Sequence, residues 1–247
     1  MSLKEEKVIE NLIKNAEQTA ANFTYPIFTV GRNDKPDLIG TSVIIEVDGT
    51  VYLLTAAHVL DVAKSMGMIA IGVNGQIIPI NSEWVFASQL DGMEFDVAFT
   101  ELNLDLVNKV QVLPSSNLLS VQPDKGEHFC FVNGFPASKN KQNQALRLTD
   151  KFASKSYSFV SYLKDDFQQW SEVKKDPGWH YCSAHGKKHG NQAPLKPNGL
   201  SGGGLWVIPN IAAPQLYLGG IFIEHYKHKE VSFSTRIDKV VEAIRTA

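Results

Sequence analysis

Cysteine is scarce in this chain: Cys130 and Cys182 are the two among 247 residues. That excludes a disulfide-stapled scaffold. The opening MSLKEEKVIENLIKNAEQ has no apolar signal core, so the expected setting is the reducing cytoplasm, with two free, half-buried thiols. Net charge is lacking too. Lys and Arg number 24 against 26 Asp and Glu, leaving −2, which gives no electrostatic reason to expect nucleic acid or an anionic membrane as partner. No run approaches 18 apolar residues, so no membrane-spanning helix is expected. Neither a repeat of fixed period nor a low-complexity tract is present.

What remains is an ordinary globular composition, 43% hydrophobic and 20% charged, sized for one large domain or two small ones sharing an interface. The ends read as helices. Ser2 and Glu5 form a capping box, and Val8, Ile9, Leu12, Ile13, Ala16 and Ala20 fall on one face until Pro26 forbids continuation. At the other end Thr235 and Asp238 form a second box ahead of an Ile237, Val240, Val241, Ile244 stripe. Between them the period changes. TSVIIEV, Asp48-Gly49 and VYLLT form one hairpin signal; IAIGV, Asn74-Gly75 and QIIPI form another. Further strands are expected at FDVAFTEL, HFCFVNGF, YSFVSYL, WHYCSA, GLWVI, LYLGGIFI and VSFST. Short strands without alternating helices predict an all-β barrel or sandwich. The Pro- and Ser-rich stretch 110–126 is the candidate linker. It divides the chain into a helix (1–23), a first β unit (24–110), a second (111–235) and a closing helix (236–247).

The stretch GLSGGGLW around Ser201 fits three readings. One is the G-x-S-x-G turn of α/β-hydrolases. Another is a glycine loop whose N–H groups point at a serine oxygen. The third is a flexible loop that contains a serine. Two other residues bear on the choice. His58, in YLLTAAHVL, projects from the end of a strand into a helical turn, where sites concentrate. Asp96, in FDVAFTEL, lies within an apolar run; facing inward it needs a donor such as an imidazole N–H, and facing outward it is a solvated strand residue. A hydroxyl nucleophile needs a base, and the base needs a carboxylate to hold its tautomer. The chain order is His58, Asp96, Ser201, whereas an α/β-hydrolase runs Ser, acid, His with a helix after the serine. Here GLWVIPN reads as a strand, so that reading fails.

TAAH around His58, FDVAFTEL around Asp96 and GLSGGGLW around Ser201 resemble, in order, the signature segments of the chymotrypsin-like (trypsin-like) serine peptidases. The likeness is to their bacterial, intracellular, cysteine-poor members. FVNGFP (131–136) and GGIFIEH (219–225) resemble later strands of that family, and the similarity spans roughly residues 27–246. It implies two antiparallel six-stranded β-barrels with the site in the cleft between them, an N-terminal and a C-terminal helix being added here. It also implies His58 as general base and acid, Asp96 as its orienting partner, Ser201 as nucleophile, and the N–H groups of Gly199 and Ser201 as the oxyanion hole. No cofactor is implied.

The chain departs from the family in three respects. Leu200 replaces the acidic residue that pairs with a freed N-terminus in activated members, so the glycines must be held by packing or ordered by a ligand. Leu195 stands where tryptic enzymes carry an acidic specificity residue. Ile223-Glu224-His225 replaces the serine and aromatic of the cleft-lining strand. These four (Leu195, Ile223, Glu224 and His225) are the candidate substrate-binding residues. A rival cluster, His180, Cys182, His185 and His189, has zinc-like spacing but lies in a Gly- and Lys-rich stretch without a second paired half, and is read as solvated loop histidines, not a metal site. The expected function is a serine endopeptidase acting on a protein or peptide. The alternative is a peptide-binding or scaffolding module on the same fold with little turnover, and an ester hydrolase with the same triad is a lesser variant.

Overall fold

The computed structural model describes residues 3–31, 35–90, 93–120, 128–140, 151–164, 175–185, 198–228 and 230–247. The chain starts in helix α1 (Leu3–Ala21) and passes to strands β1 (Thr24–Val30), β2 (Pro36–Val47) and β3 (Thr50–Ala56). Helix α2 (Ala57–Met66) follows without a break, then β4 (Met68–Val73), β5 (Gln76–Pro79), β6 (Val85–Leu90), β7 (Met93–Glu101) and the short α3 (Leu104–Val107). The second half holds β8 (Phe129–Gly134), β9 (Tyr157–Lys164), β10 (His180–His185), β11 (Gly204–Ile208), β12 (Tyr217–Tyr226), β13 (Val231–Arg236) and helix α4 (Ile237–Thr246).

The first seven strands form one antiparallel sheet in the order β5-β4-β1-β2-β3-β7-β6, and the last six close into a barrel, β10-β13-β12-β11-β8-β9. The architecture fits the chymotrypsin-like double-barrel fold, with seven strands where six were expected in the first sheet. Both Asx-Gly hairpins form as read. Asp48 and Gly49 have φ of 52° and 84°, Asn74 and Gly75 of 49° and 78°, left-handed at both central positions, which matches the twist of the flanking strands.

Two strands escape the sequence pattern. β1 contains Pro26, which ordinarily argues against a central strand. Here β4 pairs only with Ile27–Val30, so the missing proline N–H removes no bond on that side. β6 shows no clear alternation and pairs with β7 through a register shift between Ala87 and Gln89.

The helix ends also differ in detail. Ser2 lies outside the described residues. Val8 is 65% exposed, whereas Ala16 and Ala20 are buried with Leu12 and Ile13 packed beside them. Thr235 does not cap α4: its hydroxyl donates to Phe95 O at 2.6 Å, and the cap position is Arg236, with no side-chain cap bond. The Arg236 guanidinium instead pairs with both oxygens of Asp238. Ile237, Val240 and Ile244 are buried as expected, while Ala243 joins them and Val241 packs only partly.

One apolar cluster runs through both sheets, taking Val43, Leu54 and Phe95 from the first, Phe131, Trp206 and Ile221 from the second, and α4 as a brace. Fully burying each large side chain contributes about 1.5–3 kcal/mol, so the two sheets are held together by their shared interior. The linker stretch straps them. Leu113 exchanges backbone bonds with Ile44 and Glu46 of β2, and Leu119 N–H donates to Leu218 O of β12. Cys130 and Cys182 are free and fully buried, not half-buried. Burial pushes the Cys182 thiol up to about 12 and raises that of Cys130 as well, so neither is a thiolate near neutral pH. No helix among the described residues is long and apolar enough to cross a membrane.

Candidate active site

Strand β3 ends at Ala56 and α2 begins at Ala57, placing His58 in the first helical turn. Backbone N–H groups there have no intrahelical acceptor. Asp96 supplies one: its Oδ1 accepts the His58 backbone N–H at 2.9 Å, while its Oδ2 lies 2.7 Å from the His58 ring Nδ1. One carboxylate thus fixes both the helix start and the ring. With Nδ1 as donor, Nε2 is left as the basic nitrogen.

Simple strand alternation does not place Asp96. Its φ is 47°, a left-handed conformation within β7 that few residues other than glycine adopt, though Asp and Asn do so more readily. Phe95 and Val97 are both fully buried, and the twist between them swings the carboxylate to the side. Its side chain is 17% exposed, against 47% for His58. The Thr235 hydroxyl on Phe95 O ties this stretch of β7 to β13 across the two sheets.

The His58 pKa is raised above its ordinary value. The Asp96 hydrogen bond is the largest cause; burial opposes it, and the charges of Asp96, Glu224 and Asp61 add to it. Glu224 is therefore a neighbour of the site. Its carboxylate is 42% exposed and lies 3.4 Å from Nζ of Lys175, whose own side chain is buried. Beside it on β12, Ile223 turns into the apolar cluster that includes Val59 of α2. The His225 ring meets the Ser232 hydroxyl at 3.2 Å. Leu195 lies outside the described residues.

Ser201 occupies a half-buried turn leading into β11, and its loop is held carbonyl by carbonyl. Asn198 O accepts Ala137 N–H at 2.9 Å, Leu200 O accepts Gly203 N–H at 2.8 Å, and Ser201 O accepts Thr41 N–H at 2.9 Å. Gly199 O accepts the Thr41 hydroxyl at 2.7 Å. Gly203 O accepts Phe222 N–H, and Gly202 N–H donates to Phe222 O, both at 2.8 Å. In a trans peptide the N–H points opposite the C=O. Anchoring Asn198 O and Leu200 O therefore aims the N–H groups of Gly199 and Ser201 away from those anchors, and neither has a hydrogen bond among the described residues. Leu200 is 2% exposed and part of the main core, so packing holds this point of the loop.

The loop is seated against the strand that delivers His58. Gly202 has φ of 85°, and a Cβ there would overlap Thr41 O and the Thr55 hydroxyl and come within 3.0 Å of Ala56 N. Left-handed strain alone costs about 1–3 kcal/mol for a non-glycine residue. Gly202→Ala is therefore expected to lower the thermal midpoint by at least about 5 °C; a variant that melts with the parent would show that the loop is not seated there.

Of the zinc-like cluster, His180 and Cys182 sit in β10. His180 is buried, with its Nδ1 accepting Asp176 N–H at 3.2 Å, so it is not a solvated loop residue. His189 and the His185 side chain lie outside the described residues. No group of metal-ligating side chains is found among the described residues. The sequence does not single out Thr41 or Lys175, and it gives Thr235 a different role, as a helix cap. All three are buried polar residues, and a buried polar group needs a partner.

No protein-family profile matches the chain, and no curated protein matches it significantly. Solved structures do. The Rv3671c protease from M. tuberculosis in its active form aligns at TM-score 0.56 and 15% identity, covering 93% of this chain and 82% of that one. A serine-to-alanine mutant of the same protein in its inactive form gives 0.55 and 13%, covering 94% and 89%. A structure concerning the coupled folding and binding of the intrinsically disordered Sesbania mosaic virus VPg protein gives 0.53 and 15%, covering 90% and 95%. At such identities the likeness establishes the fold alone.

Proposed function

We propose that the chain is a serine endopeptidase, with Ser201 as nucleophile, His58 as general base and acid, and Asp96 as its orienting carboxylate. The observation that carries the reading is the 2.7 Å contact from His58 Nδ1 to Asp96 Oδ2, beside a serine loop in which the carbonyls of residues 198 to 201 are engaged elsewhere. In the reaction, Ser201 Oγ attacks the substrate carbonyl carbon as its proton passes to His58 Nε2. The charge on the carbonyl oxygen is met by the N–H groups of Gly199 and Ser201. Each such donor is worth about 3–4 kcal/mol of transition-state stabilisation. The imidazolium, steadied by Asp96, then protonates the leaving amine. Water, deprotonated by the same ring, releases the acyl group and restores the serine. The half-exposed Glu224 and the backbone of Ile223 and His225 would contact the peptide beside the cut.

The direct test is digestion of a mixed peptide library followed by mass spectrometry. Internal cleavage supports an endopeptidase. Turnover of a p-nitrophenyl ester without peptide cleavage would make it an esterase. Saturable peptide binding with no turnover would support the scaffolding alternative, which the atypical Ile223-Glu224-His225 strand favours.

The pH dependence follows from the site's charges. The base form of His58 is required, and its pKa lies above the ordinary value of about 6.5 for the reasons given. kcat/KM should therefore rise with pH through a midpoint above that value. Removing a nearby negative charge disfavours the imidazolium, so Glu224→Gln should move the midpoint down. The shift will be modest, because the carboxylate is partly exposed to solvent and salt. An unmoved midpoint would place Glu224 out of reach of the ring. In stability the sign is the reverse. The raised folded-state pKa contributes fully below the unfolded value and the contribution is lost as pH rises through the folded one.

A further inference from the structure

We infer that Thr41 is the positioning residue that sets the serine loop, joining the Gly199–Ser201 backbone to the first sheet through its hydroxyl. The inference rests on the peptidase reading for its catalytic consequence, though not for its geometry. Thr41 lies on β2, is fully buried, and uses every polar group it has. Its N–H donates to Ser201 O, and its hydroxyl donates to Gly199 O at 2.7 Å while accepting Phe135 N–H at 2.9 Å. Its carbonyl accepts the Thr55 hydroxyl at 2.8 Å, from the strand that delivers His58. One residue thereby joins the strand leading to His58, through its carbonyl, to the Ser201 loop and the start of the segment after β8, through its hydroxyl.

The hydroxyl bond matters because of what else holds the loop. Asn198, Leu200 and Ser201 have their carbonyls fixed by backbone donors that no substitution other than proline removes. Gly199 O is fixed by a side chain. Gly199 itself sits at φ 91°, in a region where glycine turns freely. Without the hydroxyl, the peptide from Gly199 to Leu200 loses its anchor, and Phe135 N–H loses its acceptor in the interior, where an unpaired group is costly. That peptide joins the two that carry the oxyanion donors, Asn198–Gly199 and Leu200–Ser201, so the Gly199 and Ser201 N–H groups are then no longer fixed in direction relative to each other. Leu200 packing holds the loop in place; Thr41 holds its orientation. A chain with no acidic residue at position 200 thus has a loop set by its own first sheet, without a charge pair formed on cleavage.

Thr41→Val removes the hydroxyl at nearly constant volume, Thr41→Ala does so should the valine variant not fold, and Thr41→Ser keeps it. Two measurements run in parallel: the rate of reaction with a fluorophosphonate at saturation, with its half-saturation concentration, and amide hydrogen exchange across 198–203. Loss of the hydroxyl should slow the saturated rate by about 10- to 100-fold, the range for a misaligned oxyanion donor. Half-saturation should change little, exchange across 198–203 should quicken, and Thr41→Ser should stay within about threefold of the parent. Unchanged exchange in the variants lacking the hydroxyl, or a serine variant as impaired as the valine one, would overturn the inference. A parent protein that never reacts, with exchange still quickened by Thr41→Val, would uphold the positioning role and refute the peptidase reading instead.

Discussion

Replacing Ser201 by alanine is expected to abolish hydrolysis while leaving the fold unchanged. The loss should approach the roughly 10^6-fold fall in kcat seen when a triad nucleophile is deleted, down to whatever binding and the backbone donors still supply. Stability should move by less than about 0.5 kcal/mol. The side chain is only half-buried, and its hydroxyl has no hydrogen bond among the described residues. What fixes the residue is its backbone: Ser201 O on Thr41 N–H and the neighbouring Gly202 N–H on Phe222 O. Alanine keeps both. Steady-state rates alongside thermal unfolding check the pair of expectations, and turnover retained by a well-folded variant would place the nucleophile elsewhere.

Asp96→Asn is expected to cost about 10^4 in kcat with little loss of stability. The carboxylate accepts from two donors at once, the His58 backbone N–H and the ring Nδ1. An amide has one oxygen. If that oxygen caps α2, the NH2 group faces the ring, and Nδ1 must become an acceptor with its proton moved to Nε2. Nε2, the nitrogen required to take the serine proton, is then no longer a base. Asparagine tolerates the left-handed φ of 47° about as well as aspartate, so the backbone should keep its course. The contrast is informative. A merely structural Asp96 would lower the melting temperature and leave the rate, whereas an orienting one lowers the rate and leaves the melting temperature.

The features legible in the sequence are those whose chemistry restricts residue type at fixed places. Asp48-Gly49 and Asn74-Gly75 announced their hairpins because two successive left-handed residues admit few alternatives. His58, Asp96 and Ser201 stood out because proton transfer to and from a hydroxyl needs those groups, and their order separated two kinds of glycine-serine turn. What stayed hidden depends on conformation or on partners distant in the chain. The face taken by Asp96 follows from one unusual φ, which an alternating pattern cannot express. Thr235 looked like a helix cap; its hydroxyl reaches instead to Phe95 in the other sheet. Thr41 appeared as one more residue of a strand, because the groups it anchors are backbone carbonyls and leave no mark on composition. Likewise, Glu224 could be named as lining the cleft, but its pairing with Lys175 and its influence on His58 required the fold.

The most direct test of the central claim is labelling with a fluorophosphonate probe followed by peptide mass mapping, beside His58→Ala and Ser201→Ala controls whose folding is verified by circular dichroism. The account predicts a single adduct on Ser201 that disappears in both controls, because the hydroxyl reacts only with its base in place. No adduct on folded parent protein, or one that persists in Ser201→Ala, would contradict it.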